Sequence, residues 1–262
     1  MNRIPRPARI AFALGIIGLG MLGVVYGDFA SGWPAWVPWR QALLYAAAGL
    51  MLLGGAGLLF TRTASVSVRM LLPYLLLWTS LRIPALVMAP QIEVNWFAVG
   101  ETAVLAAAAW VLFADLCAAR DGSIVRFASG ERGQRVARTL FGLSLLAFGL
   151  SHFIYHRETV AFVPSWLPFR SGWAYLTGAG HMAAGLGVLL AIYPRLAATM
   201  EAAMLTVFTV LVWIPAVIAA PTSRNNWSEL AISWAITAGA LVVAGDERLG
   251  AIRRIGSSGA DK

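Results

Sequence analysis

Of the three histidines in this 262-residue chain, His152 and His181 fall inside apolar stretches. An imidazole so placed can hydrogen-bond a quinone oxygen, pass a proton or ligate a metal; equally, it can do no more than join two helices. Arg82 and Glu101 are the charged counterparts, each within an otherwise apolar run. Helical rise places both roughly 10 Å below one surface, where an ion pair would offset the cost of burying either alone. Such a pair can fix a helix bundle, or leave an Arg82 donor for a carboxylate or a quinone carbonyl. Arg40 and Arg170 complete the candidates. They end two similar stretches, WPAWVPWR at 33–40 and VPSWLPFR at 163–170, and their repeated charge suits an acidic partner, a lipid headgroup or a ligand.

The other polar groups carry plainer expectations. Glu201 and Asp115 should pair at helix ends, with Arg195 and with the Arg62/Arg69 loop respectively. Glu229 should open the last helix, where the positive dipole end suits a carboxylate. His156 should be solvated at the interface. Counted from the loops, His152 lies near a helix end and His181 roughly 15 Å deep, a separation of about 10 Å. That distance argues against a haem between them, and no metal site is expected. The single Cys117 excludes an intramolecular disulfide and a Cys-x-x-Cys centre.

The elements that must position these groups follow from composition. The chain is 59% hydrophobic and 12% charged, against about 25% charged in a soluble domain. No Asp, Glu, Lys or Arg occurs in 41–61, 171–194 or 202–223. Each stretch is long enough to cross a ~30 Å hydrocarbon core as a helix. The alternating pattern of a membrane β-barrel is absent. The expected fold is all-α and polytopic, with eight spans at 9–27, 41–61, 68–89, 96–116, 138–156, 171–193, 196–219 and 228–245. Residues 1–27 resemble a signal peptide in charge and apolarity, but 10–27 has a counterpart at 139–156, so a retained first helix is expected.

The net charge of +8 reflects topology rather than nucleic-acid binding. Most arginines fall in alternate connections, with only Arg40, Arg157, Arg170 and Arg224 on the other side and Arg82 within a span. This bias puts both termini in the cytoplasm and the protein in the inner (plasma) membrane.

The chain also repeats itself. At an offset of 130, Pro34, Trp36, Pro38, Arg40, Tyr45, Gly55, Gly57, Leu59, Met70, Leu75, Thr79 and Leu81 recur. One inserted residue, Val212, then brings Ile83-Pro84-Ala85, Ala89-Pro90 and Asn95-Trp96 onto Ile214-Pro215-Ala216, Ala220-Pro221 and Asn226-Trp227. The expected organisation is a first four-helix repeat at 1–116, a cytoplasmic linker at 117–137, a second repeat at 138–245 and a cytoplasmic tail at 246–262. An even number of spans per unit makes the repeats parallel. Small-residue runs such as Gly178-Ala179-Gly180 should allow close helix packing.

The second unit carries Gly149-x-x-His152-Phe153, Phe162-Val163-Pro164-x-Trp166-x-Pro168, Leu176-Thr177-Gly178 and Gly185-Leu186-Gly187. In these it resembles the DoxX-like family of four-helix membrane proteins, over 138–245 and, more diverged, over 9–116. The resemblance implies a four-helix bundle per unit and an association with membrane redox systems, notably a thiosulfate–quinone oxidoreductase subunit. The family often has an acidic residue in the second helix after Thr-Gly; here that region has His181, and Met51 in the first half.

Two further readings of the residues stand beside an accessory subunit linked to the quinone pool. One is a protein that binds or transports a lipid or small solute between its halves. The other is a structural membrane partner without its own active site. The accessory reading implies a quinone, not covalently held, the lipid bilayer as surroundings, and a soluble or membrane oxidoreductase partner. No flavin fingerprint is present, so electrons would come from that partner.

Overall fold

The computed structural model describes residues 4–27, 38–117, 128–246 and 249. Pro34 and Trp36 of the first loop, residues 118–127 of the expected linker, and all of the expected tail except residues 246 and 249 lie outside the described residues.

The chain is helical, in the order α1 (Arg6–Tyr26), α2 (Arg40–Leu59), α3 (Ala64–Met88), α4 (Glu93–Cys117), α5 (Glu131–Ile154), α6 (His156–Phe162), α7 (Arg170–Leu189), α8 (Pro194–Phe208), a π-helical turn (Thr209–Trp213), α9 (Ile214–Ala219) and α10 (Arg224–Ala244). Among the described residues, seven segments are long and apolar enough to cross a membrane, taking α8 to α9 as one. The chain is thus of helical membrane type. The expected eighth, α7, has 20 residues but falls outside the seven. Arg170, Ser171, Thr177, His181 and several glycines dilute its apolarity.

Leu, Ala and Gly fill the helices, and no charge interrupts most turns, so backbone groups bond within each segment as an apolar surrounding requires. The boundaries have local causes. Pro5 and Pro194 sit at the starts of α1 and α8, where a missing N–H costs nothing. Ser223 caps α10, its hydroxyl accepting from the Asn226 N–H at 3.3 Å. α2 and α7 are both preceded by an aromatic residue in the left-handed region, Trp39 (φ 50) and Phe169 (φ 54). Both side chains are exposed.

The long helices form a closed circuit. Neighbours in sequence pack together, α1 on α2, α2 on α3, α3 on α4, α4 on α5, α5 on α7, α7 on α8 and α8 on α10, and α10 returns to α1. α4 and α10 also touch across the middle. Small residues let the axes approach. Gly239 of α10 faces Val104 and Ala108 of α4, and Gly15 of α1 meets the Ala235 backbone. Residues Thr102 to Ala109 of α4 are all buried. The Trp234 indole donates to the Ala11 carbonyl at 3.0 Å, fastening α10 to α1.

Two turns share one design. After α3, the Asn95 amide donates to the Ala85 and Ala89 carbonyls, and the Trp96 indole to the Pro90 carbonyl. After α9, Asn226 donates to the Ala216 carbonyl and Trp227 to that of Pro221. The side chains replace the lost donors of helices that end at a proline. α3 stays α-helical to this turn, whereas the α8–α9 segment passes through the π turn, which contains Val212. A π turn absorbs one extra residue without changing the phase of the helix beyond it.

Candidate functional site

α5 and α7 cross closely because glycine faces glycine. A Cβ built on Gly178 would lie 2.8 Å from the His152 Cβ, and one on Gly185 would lie 2.8 Å from the Gly142 carbonyl oxygen. This register sets His152 level with Thr177 and Gly178, and His181 about one turn deeper, or about 5 Å. The two imidazole centroids are 5.0 Å apart. The expected separation of about 10 Å is therefore corrected. Counting from the loops fails because α7 starts beyond the end of α5, with α6 and the Pro-rich loop filling the extra height.

Both rings are fixed by their Nδ1 atoms. His152 Nδ1 is 2.8 Å from the Phe148 carbonyl oxygen. A carbonyl only accepts, so this nitrogen carries the proton, and in the neutral ring Nε2 keeps its lone pair. His181 Nδ1 is 2.7 Å from Glu201 Oε1, with both side chains buried. The other carboxylate oxygen, Oε2, is buried and without a hydrogen-bond partner. Glu201 is therefore not the interfacial partner of Arg195 that its sequence neighbourhood suggests. It lies two turns into α8 on the same buried face as Ala198, Ala202 and Leu205, and the low-dielectric interior strengthens its bond to His181.

Phenylalanines enclose the group. Phe208 stacks at 6.1 Å on His152 and lies 5.9 Å from His181. Phe148 meets His181 edge-on at 6.0 Å and packs on Phe97 of α4 at 5.1 Å. Phe208 is the last residue before the π turn. Thr209, within that turn, donates to the Leu205 carbonyl at 3.0 Å and lies 2.8 Å from Ser233 Oγ and 3.2 Å from Thr237 Oγ1 of α10. The site is thus an imidazole pair and one carboxylate, walled by rings and braced by hydroxyls. Imidazole and carboxylate groups so placed can exchange protons.

The other candidates lie elsewhere. Arg170 is 2.9 Å from the Val163 carbonyl through Nε, and 2.7 and 3.2 Å from those of Val160 and Ala161 through Nη2. It caps the end of α6, so these donors serve the loop rather than a ligand. Arg40 holds the equivalent place at the start of α2, half-buried. Arg82 and Glu101 are within electrostatic reach of each other, and Glu229 of α10 is near Glu101. Glu229 thus sits in the second turn of α10, not at its opening. His156 is not simply solvated. Its Nε2 is 2.8 Å from Ser171 Oγ and its ring stacks at 4.1 Å on Tyr175. The backbone N–H of Ile4 reaches Asp115 Oδ2 at 3.4 Å. Among the described residues, no cluster of three or more His, Cys, Asp and Glu side chains is placed to hold a metal ion.

Glu201 and Phe208 are the members that sequence reasoning missed. A usable signal existed. Measured from the short turn that joins α7 to α8, His181 and Glu201 lie at nearly the same depth.

Residues 141–244 match a family described as a domain of unknown function (DUF8561). That stretch holds His152, His181, Glu201 and Phe208. No curated protein matches the chain, and no solved structure matches it.

Proposed function

We propose that the chain is an eight-span membrane protein of two parallel four-helix repeats, and that its second half binds a quinone headgroup in the service of an oxidoreductase partner. The observation that carries the quinone site is the buried His181–Glu201 pair, 2.7 Å apart, with the His152 ring 5.0 Å from that of His181. Reduction of a quinone to a quinol takes up two electrons and two protons. The partner supplies the electrons, and the histidine–carboxylate pair exchanges protons with the ring oxygens. The bare His152 Nε2 accepts from a quinol hydroxyl, and Phe148 and Phe208 flank a planar ring.

The repeat is supported by the paired Asn–Trp turns, the paired left-handed aromatics before α2 and α7, and the coincidence of Val212 with the π turn. The resemblance to DoxX-like proteins points in the same direction. In this reading α7 spans the membrane as well, both termini are cytoplasmic, and the membrane is the plasma membrane.

The test is organic extraction of gently purified full-length protein, followed by mass spectrometry and titration with a short-chain ubiquinone read by tryptophan quenching. We expect a saturable site weakened at least about tenfold by His181→Ala, the cost of roughly one charge-assisted hydrogen bond. Absence of extracted quinone, together with quenching no greater than partition into empty micelles, overturns the proposal.

A further inference from the structure

The same cluster has an orientation that proton exchange alone does not require. Each imidazole is held through Nδ1 by an acceptor, the Phe148 carbonyl for His152 and the Glu201 carboxylate for His181. With Glu201 ionised, both Nδ1 atoms donate and both Nε2 atoms carry lone pairs. This is how metal-ligating histidines are set, with the second nitrogen donating to a carboxylate or a backbone carbonyl. At metal–nitrogen distances of about 2.0 Å, two imidazoles sharing one ion in a bent arrangement have centroids about 5 Å apart. The observed separation is 5.0 Å.

Charge then chooses the ion. Glu201 is 1% exposed and its Oε2 has no hydrogen-bond partner. A cation held by the two imidazole Nε2 atoms would have this buried carboxylate as its counter-charge. Two neutral imidazoles, one carboxylate and a monovalent cation sum to zero. A divalent cation would leave one net charge among phenylalanines. Two nitrogen ligands are also few for zinc, which takes three or four from the protein. The Met204 sulfur lies against Gly180, the neighbour of His181, which adds a soft, polarizable surrounding.

We propose that His152 and His181 bind one soft monovalent cation, of the copper(I) type, through their Nε2 atoms, with Glu201 as its buried counter-charge. The ion and a quinol hydroxyl would compete for the His152 Nε2 lone pair. The proposal does not depend on quinone binding.

The experiment uses full-length protein in detergent micelles with histidine-selective ¹⁵N labelling. Silver(I), the redox-inert analogue, is added first, and copper(I) is then titrated against a chromophoric chelator under reducing conditions. Silver should shift the Nε2 resonances of two histidines and leave His156 unchanged. Copper(I) should bind at one per chain with a nitrogen-only first shell by X-ray absorption. Zinc(II) should bind at least tenfold more weakly. Glu201→Gln should weaken copper(I) about 10- to 100-fold with the ligand count unchanged, and His152→Gln should abolish stoichiometric binding. If silver moves neither histidine, or copper(I) binding survives His152→Gln, the site is refuted. If zinc(II) binds as tightly as copper(I), the charge argument fails and the monovalent assignment with it. The silver measurement needs no variant, so misfolding of a variant cannot mask the result. Quinone binding is read separately, by fluorescence in metal-free protein, so either proposal can fail alone.

Discussion

Deleting Val212 should leave the protein folded, whereas deleting Leu81 should not. Both are half-buried aliphatic residues in apolar helices, so hydropathy alone expects similar losses. The difference lies in the backbone. Within Thr209–Trp213 the chain is wound with one residue more per turn, and the Ile214 N–H bonds to the Thr209 carbonyl. Removing Val212 lets this turn close as ordinary α-helix and leaves Ile214–Ala219 in phase. Asn226 and Trp227 keep their bonds to the Ala216 and Pro221 carbonyls. The main cost is half of a valine's burial, about 1 kcal/mol. α3 has no such slack. Removing Leu81 turns residues 82–88 by about 100° relative to the preceding turns. With α4 held by its packing on α3, α5 and α10, the Asn95 bonds to the Ala85 and Ala89 carbonyls and the Trp96 bond to Pro90 are then misaligned. Three hydrogen bonds at about 1 kcal/mol each give a loss of about 3 kcal/mol before any repacking. Cys117 is the single cysteine and is buried, so a maleimide dye that fluoresces on reaction reports unfolding in a thermal ramp. The Val212 deletion should melt within a few degrees of the parent and the Leu81 deletion far below it. Equal losses would refute the view that the π turn houses a removable residue.

Other outcomes follow from the same contacts. Gly178→Ala should cost about 1–3 kcal/mol and weaken ligand binding, because the added methyl lies 2.8 Å from the His152 Cβ; denaturant titration and quinone quenching check both effects. Glu201→Leu should destabilise by about 1–3 kcal/mol through a buried, unpaired His181 Nδ1, and Glu201→Gln, which keeps a hydrogen bond, should lose less in the same titration. Arg170→Lys cannot reproduce three carbonyl contacts, so the connection between α5 and α7 should become more susceptible to added protease while the melting temperature changes by only a few degrees. In a Cys117→Ala background, Ser165→Cys and Ala191→Cys should label from opposite sides of sealed vesicles; labelling from one side would show that α7 does not span.

How much of this was legible depends on which physical signal each feature leaves. The long helices begin and end within a few residues of the expected spans, because the length needed to cross a bilayer and the runs of apolar residues fix them together. α5 begins at Glu131 rather than 138 because Arg132, Arg135 and Arg138 stop an apolar run without stopping a helix. α6 leaves no signal, being seven residues long with no buried side chain. The π turn was visible only as a one-residue gap in the expected repeat. A gap says that the helix must absorb a residue, but sequence cannot say whether it does so by a bulge, a kink or a longer loop.

The site was harder to read for a different reason. Sequence neighbours suggested Arg195 for Glu201, yet Glu201 faces along α8 with Ala198, Ala202 and Leu205 toward the interior. A carboxylate two turns inside an apolar helix cannot be satisfied by an arginine near the helix start without unwinding it. Its partner had to come from a neighbouring helix at equal depth. The short turn between α7 and α8 makes those two helices antiparallel neighbours, so equal counts from that turn meet. His181 is the polar residue at that count. The connection between α5 and α7 misleads because it carries α6, a Pro-rich loop and an arginine that caps them, so counts from that end do not start level. Depth in a helical membrane protein is therefore best counted from the shortest connection, and by that measure the His181–Glu201 contact is a consequence of two helix lengths and one turn.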